Sequence, residues 1–139
     1  MTEFNGWISI VEDDSDDADI DELNRRREQL CDYIEECSKS VFGLNSNRRF
    51  HLHRALNANA MAVFCGCNNH RDESVIEWFK LIANNQPCSY GKMHIRDDED
   101  GRGFQNSLQA WTMARGTVFE ETDSSMSPCI PIIEDEDQT

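Results

Sequence analysis

Positive charge is scarce in this sequence: 13 lysines and arginines stand against 27 aspartates and glutamates, a formal net charge of −14 over 139 residues. Phosphate contacts need lysine and arginine to displace counterions, so direct binding to nucleic acid or to an anionic membrane is excluded. The opening MTEFNGWISIVED has no basic segment leading into a long apolar one, so no signal peptide is expected. No apolar run approaches the roughly 20 residues needed to cross a bilayer. The chain also lacks a glycine-rich phosphate loop, a Gly-x-Ser-x-Gly elbow and an HExxH helix. Cys65 with His70, or Cys88 with His94, offers a thiol and an imidazole without an orienting third group. A metal-dependent nuclease built on the carboxylates at 97–100 would lack basic contacts to its substrate. We therefore expect neither an enzyme nor a cofactor.

What is present is enough for one core. Hydrophobic residues make up 38% of the chain and aromatics recur along its length, which separates it from disordered acidic sequences. The six cysteines are scattered, and without an export signal they read as reduced thiols in a cytoplasm rather than a disulfide framework. With no internal repeat and no linker, residues 1–139 are expected to form a single domain ending in an acidic tail at about 134–139.

Periodicity gives the elements. Residues 6–11 (GWISIV) are rich in strand formers. From 19 to 41, Ile20, Leu23, Leu30, Ile34, Cys37 and Val41 recur at steps of three, four and seven, which predicts an amphipathic helix. Its Arg25, Arg26 and Arg27 are spaced to pair with acids one turn earlier. Residues 48–56 alternate, with Phe50, Leu52 and Leu56 on one face and His51 and His53 on the other, and 60–65 pair back through a turn at 57–59. A second helix over 73–84 carries Val75, Ile76, Phe79 and Ile82 inward, with Trp78 beside them and Asp72 or Ser74 as cap. Segments 89–96 and 108–115 flank an acidic connection and predict a hairpin. A short strand at 117–120 continues past a bulge or bend at Gly116, and the proline-flanked tail is expected along the sheet edge through Ile130, Ile132 and Ile133. The fold class is α+β: a single, mostly antiparallel sheet with two helices packed on one face.

Three acidic runs concentrate the charge: eight acids in 12–22, four in 97–100 and four in 134–137. The hairpin tip, Asp97, Asp98, Glu99 and Asp100, is expected to stand exposed as a partner surface. Glu12, Asp13, Asp14, Asp16 and Asp17 in the loop after the first strand are its expected accomplice. That loop is not a calcium site. Counted from Asp13, the sixth position is Ala18 where glycine is needed and the twelfth is Asn24 where a bidentate glutamate is needed. Trp7, Trp78, Tyr90, Trp111 and Arg115 are expected to be structural, Arg115 by pairing with an acid inside the chain. An alternative is a metal- or thiol-based regulatory protein using Cys65, Cys67 and His70, with His51 and His53 nearby in sequence. Cys65 and Cys67 are one residue apart with no matching second pair, which is not zinc spacing, and buried thiols account for them equally.

One resemblance spans nearly the whole chain. Gly6-Trp7, Trp78, Ser89-Tyr90-Gly91, the run Ile95-Arg96-Asp97-Asp98-Glu99-Asp100, Trp111, Ala114-Arg115-Gly116 and Ser127-Pro128-Cys129-Ile130-Pro131 with Glu134-Asp135 after it follow in the order and spacing of a known group. By these residues the chain resembles the immunity protein 7 family of bacterial polymorphic toxin and contact-dependent growth inhibition systems. The polar Lys92 and His94, and the extra Asn106-Ser107, depart from that pattern. The resemblance implies a small cytosolic, non-enzymatic protein that binds the C-terminal domain of a cognate toxin, commonly a nuclease, as a 1:1 heterodimer. An RNase of EndoU type is the implied member of that class. Dense carboxylates suit such a role, because a nuclease groove is basic.

Overall fold

The computed structural model describes residues 1–12, 19–43, 47–54 and 60–131. In chain order these form β1 (Thr2–Ile10), α1 (Ile20–Phe42), β2 (Arg48–His53), β3 (Ala60–Asn68), α2 (Ser74–Asn85), β4 (Tyr90–Asp97), β5 (Gln109–Ala114) and β6 (Thr117–Thr122). The strands make one antiparallel six-stranded sheet in the order β2-β3-β1-β4-β5-β6, with the two helices, an α+β fold as the periodicities predict.

β1 lies at the centre because it is flanked on both sides, by β3 and by β4. It starts at Thr2, four residues earlier than the β-formers of 6–11 suggest, since Thr2 pairs with Asn68 and Asp97 and Phe4 with Gly66 and Ile95. Alternation then sorts the side chains. Phe4, Ile8, Ile10, Ala62, Phe64, Met93 and Met113 turn to the helices and are buried. Trp7, Met61, Val63 and Tyr90 occupy the other parity and stay exposed.

α1 begins where the Asp19 carboxylate accepts from the Glu22 N–H at 2.8 Å. It buries Leu30, Cys31, Ile34 and Phe42 against the sheet. α2 begins beside Asp72, whose carboxylate accepts from the Ser74 N–H at 2.9 Å. Trp78 is not at the margin of α2's inward stripe but fully inside it, 3% exposed. Its ring meets Phe42, Phe50 and Phe64 edge-on at 5.0, 5.9 and 4.9 Å between centroids. Its indole N–H donates to the Ser38 hydroxyl at 3.1 Å, which donates in turn to the Ile34 carbonyl at 2.6 Å. This chain of donors satisfies the polar atoms that the aromatic core would otherwise orphan.

Arg48 stitches the ends of four elements together. Nearly buried, it donates to the Val41 carbonyl (2.9 Å), the Asn68 side chain (3.2 Å), the Ser74 hydroxyl (3.2 Å) and the Asp72 carboxylate (2.6 Å). Asp72 is pulled below its ordinary range by the Ser74 N–H and by this guanidinium.

Two expectations are corrected. β6 does not continue past a bulge: Arg115 and Gly116 have φ of 52° and 78°, and two consecutive left-handed residues form the tight turn that reverses one strand onto the next. Nor does the tail follow the sheet edge by Ile130. The Asn106 side chain accepts from the Ile130 N–H at 2.9 Å and donates to the Ile130 carbonyl at 2.8 Å, holding the tail against the β4–β5 connection with Ile130 half exposed. The expected contacts of Ile132 and Ile133, the turn at 57–59 and the acidic tail lie outside the described residues.

Candidate partner-binding surfaces

The acidic turn after β4 does not present four carboxylates. Asp97 and Asp100 are 4% and 5% exposed. Asp100 receives the Arg102 guanidinium at 2.8 Å and Arg71 at 3.4 Å, while Arg71 also stands 3.8 Å from Asp97. Both aspartates also fold the loop locally: the Asp97 carboxylate accepts from the Glu99 N–H at 3.0 Å and that of Asp100 from the Arg102 N–H at 2.9 Å. The Arg102 guanidinium holds the Asp100 carboxyl down at about 2. Arg102 reaches on to Glu120 at 2.7 Å and lowers it too. Asp98 and Glu99 remain exposed, yet each has a partner: the Met1 ammonium at 2.5 Å and the His70 ring at 3.2 Å. The correction to the exposed tip thus has a simple cause. Two turn carboxylates that each face an arginine and a loop N–H gain more by turning inward than by hydration.

The second expected acidic group lies elsewhere. Glu12 follows the far end of β1, whereas Asp97 pairs with Thr2 at its start. Nine strand residues separate them, roughly 30 Å at the rise of an extended chain. Glu12 is half-buried, 3.9 Å from Arg26, which also holds Glu22 at 3.1 Å. Asp13, Asp14, Asp16 and Asp17 lie outside the described residues. Glu12 and the β4 turn are therefore not one surface.

A third acidic group was overlooked. Glu28, Asp32 and Glu36 repeat at steps of four on the outer face of α1, with Glu35 alongside, all exposed. Arg54, just past β2, meets Glu28, Asp32 and Glu35 at 2.7, 2.9 and 3.0 Å, so three carboxylates share one cation. The spacing was visible in the sequence as a helical stripe of acids. The three acids that hold Arg54 lie at the same end of the sheet as Glu12, because His53, Met61, Ser9 and Tyr90 are paired across it and Arg54 follows His53.

The aromatic and basic residues expected to be structural divide. Trp78 is core, and Trp111 packs against the core with the Lys80 ammonium 5.6 Å over its ring. Trp7 and Tyr90 are 39% and 49% exposed, edge-to-face at 6.1 Å on the face of the sheet away from the helices. Their positions in β1 and β4 have outward parity, which overrides their size. Arg115 sits in the β5–β6 turn, exposed, and makes no ion pair among the described residues. The acid partner expected for it is not found among the described residues.

The thiols also depart from expectation. Cys65 and Cys67 are exposed on the open face rather than buried, and His70 is engaged with Glu99. Among the described residues no three histidines, cysteines or acids stand close enough to hold a metal ion. Cys65, Cys67 and Cys129 instead border a recess of about 530 Å³ with Glu3, Leu108 and Met126, where the tail returns over the Thr2 end of the open face. No described helix is long and apolar enough to cross a membrane.

A family model, Immunity protein 7, matches residues 1–135. No curated protein and no solved structure gives a match.

Proposed function

The chain belongs to the Immunity protein 7 family, an immunity protein whose partner is a cognate toxin, and we propose that this toxin is a nuclease, an RNase of EndoU type, whose substrate groove is occluded by an acidic surface. The observation that supports this most is the distribution of charge. With 27 acids against 13 bases, carboxylates outnumber their cations at one end of the sheet, where Glu28, Asp32 and Glu35 share Arg54 and Glu12 stands beside Arg26, and the outer stripe of α1 runs on to Glu36. A nuclease must attract phosphates, so its groove carries the opposite sign. Carboxylates there steer the two proteins together and oppose lysines and arginines that would otherwise hold RNA. Asp13, Asp14, Asp16 and Asp17 continue the same run. Asp98 and Glu99 are the part of the β4 turn left for this role, while Asp97 and Asp100 hold the turn's shape. The chain acts by binding in the cytoplasm, as one half of a 1:1 complex, without catalysis.

The test uses the toxin domain encoded immediately upstream. Stoichiometric chain should abolish its RNA cleavage. Reversing Glu28, Asp32 and Glu36 to lysine should slow association about 10-fold and flatten its salt dependence. An association rate and salt slope equal to wild type in that triple variant would overturn the acidic mechanism, and a toxin domain that leaves RNA intact would overturn the substrate.

A further inference from the structure

We propose that the open face of the sheet, at its Ser9 end, grips the cognate toxin by taking an apolar side chain against Trp7 and Val63 and a neighbouring carboxylate on Lys92. This rests on the immunity reading and adds a second, chemically different contact to it.

Five of the large apolar side chains that stay at the surface share this one face: Trp7, Met61, Val63, Tyr90 and Phe119, each 39 to 49% exposed. Strand register makes them neighbours. Trp7 lies opposite Val63 on one side and Lys92 on the other; Ser9 lies between Met61 and Tyr90; Lys92 faces Thr112, which faces Phe119. A patch of this kind on a water-soluble surface marks a contact. Trp7 and Tyr90 already brace one another edge-to-face, so little freedom is lost when a partner covers them, and these are the residue types that dominate binding energy. Between Trp7, Val63, His51 and Cys65 lies a recess of about 450 Å³, room for a side chain.

Charge selects the occupant. Although acids outnumber bases twofold in the chain, no carboxylate stands among the paired outward positions from Ser9 to Trp7 across β2, β3, β1, β4 and β5. Lys92 stands there without an ion pair among the described residues. A basic groove would be repelled here, so this face takes a different patch of the toxin, apolar at its centre with an acid at its rim. A second copy of the chain would set Lys92 near itself and bring two charges of −14 together, and nucleic acid is opposed by the same total. Glu12, Glu28 and Asp32 border this same end, so one toxin domain reaches both contacts.

The experiment measures association and dissociation rates of the full chain with the upstream toxin domain by biolayer interferometry. Trp7→Ala with Tyr90→Ala should raise the dissociation rate at least about 100-fold while leaving association within about threefold. Lys92→Glu, which removes no core atom, should raise it about 10-fold, and melting curves confirm that both variants fold. Absence of any wild-type complex overturns the immunity reading and this surface with it. A tight wild-type complex that both variants preserve overturns the surface alone. A wild-type homodimer in sedimentation that the variants dissolve would make the face a contact between copies, and overturns it as well.

Discussion

The two faces of the sheet carry aromatic residues in the same alternating register and have opposite fates. On the covered face Phe64 of β3 lies under Trp78 of α2 and Phe42 of α1 and is 4% exposed; on the open face Trp7 of β1 rests edge-on against Tyr90 and is 39% exposed. Polar groups follow the same division. The indole of Trp78 is tied through Ser38 to α1, and Asp97 and Asp100 are locked to arginines, whereas Lys92 stands without an ion pair among the described residues. Size and hydrophobicity do not distinguish the two faces. What distinguishes them is whether a helix with a complementary stripe crosses above.

Substitutions separate these roles, beginning with the most damaging. Trp78→Ala should lower the unfolding free energy by about 4 kcal/mol in denaturant titration, since it empties a fully enclosed aromatic site. A loss below about 1 kcal/mol would abolish the contrast, because that is the range of an exposed position. Next, Gly91→Ala should cost about 2 kcal/mol, because the added Cβ would stand 2.3 Å from the Trp7 carbonyl and 2.9 Å from the Ile8 Cα, backbone atoms at the centre of the sheet.

Asp100→Asn should cost about 2 kcal/mol at neutral pH, the value of holding its carboxyl near 2 instead of the unfolded 3.8. The folded value is the lower one. This contribution is therefore complete above about pH 4 and disappears as pH falls through about 2, and the variant's stability curve should lose that slope. Trp7→Ala should cost only about 1 kcal/mol of stability, while the proposed contact requires that it weaken the toxin complex far more. A stability loss comparable to that of Trp78→Ala would make the open face structural. Last, Arg115→Asn should raise the unfolding free energy slightly, by about 0.5 kcal/mol, because asparagine tolerates the left-handed backbone of that turn and Arg115 makes no ion pair among the described residues.

Much of this was legible in the residues themselves. The apolar spacing of Leu30, Ile34 and Val41 located α1, and alternation found every strand to within a few residues. Illegible was which parity would be covered. Segments such as GWISIV and AMAVFC are apolar on both faces, so Trp7, Met61 and Cys65 look like core until the helices are placed. The inward turn of Asp97 and Asp100 was hidden for a different reason. Its cause is Arg71, distant in sequence, together with Arg102 just beyond the turn. Charge runs record composition, and only topology shows which charges are already answered.

Arg48 carries a consequence for motion. One guanidinium holds the last turn of α1 through Val41, the end of β3 through Asn68 and the start of α2 through Asp72 and Ser74. None of these ends can fray without stranding a nearly buried cation. In native-state hydrogen exchange the amides at the close of α1 and the opening of α2 should therefore exchange as one cooperative unit, with a common opening free energy and a common denaturant dependence.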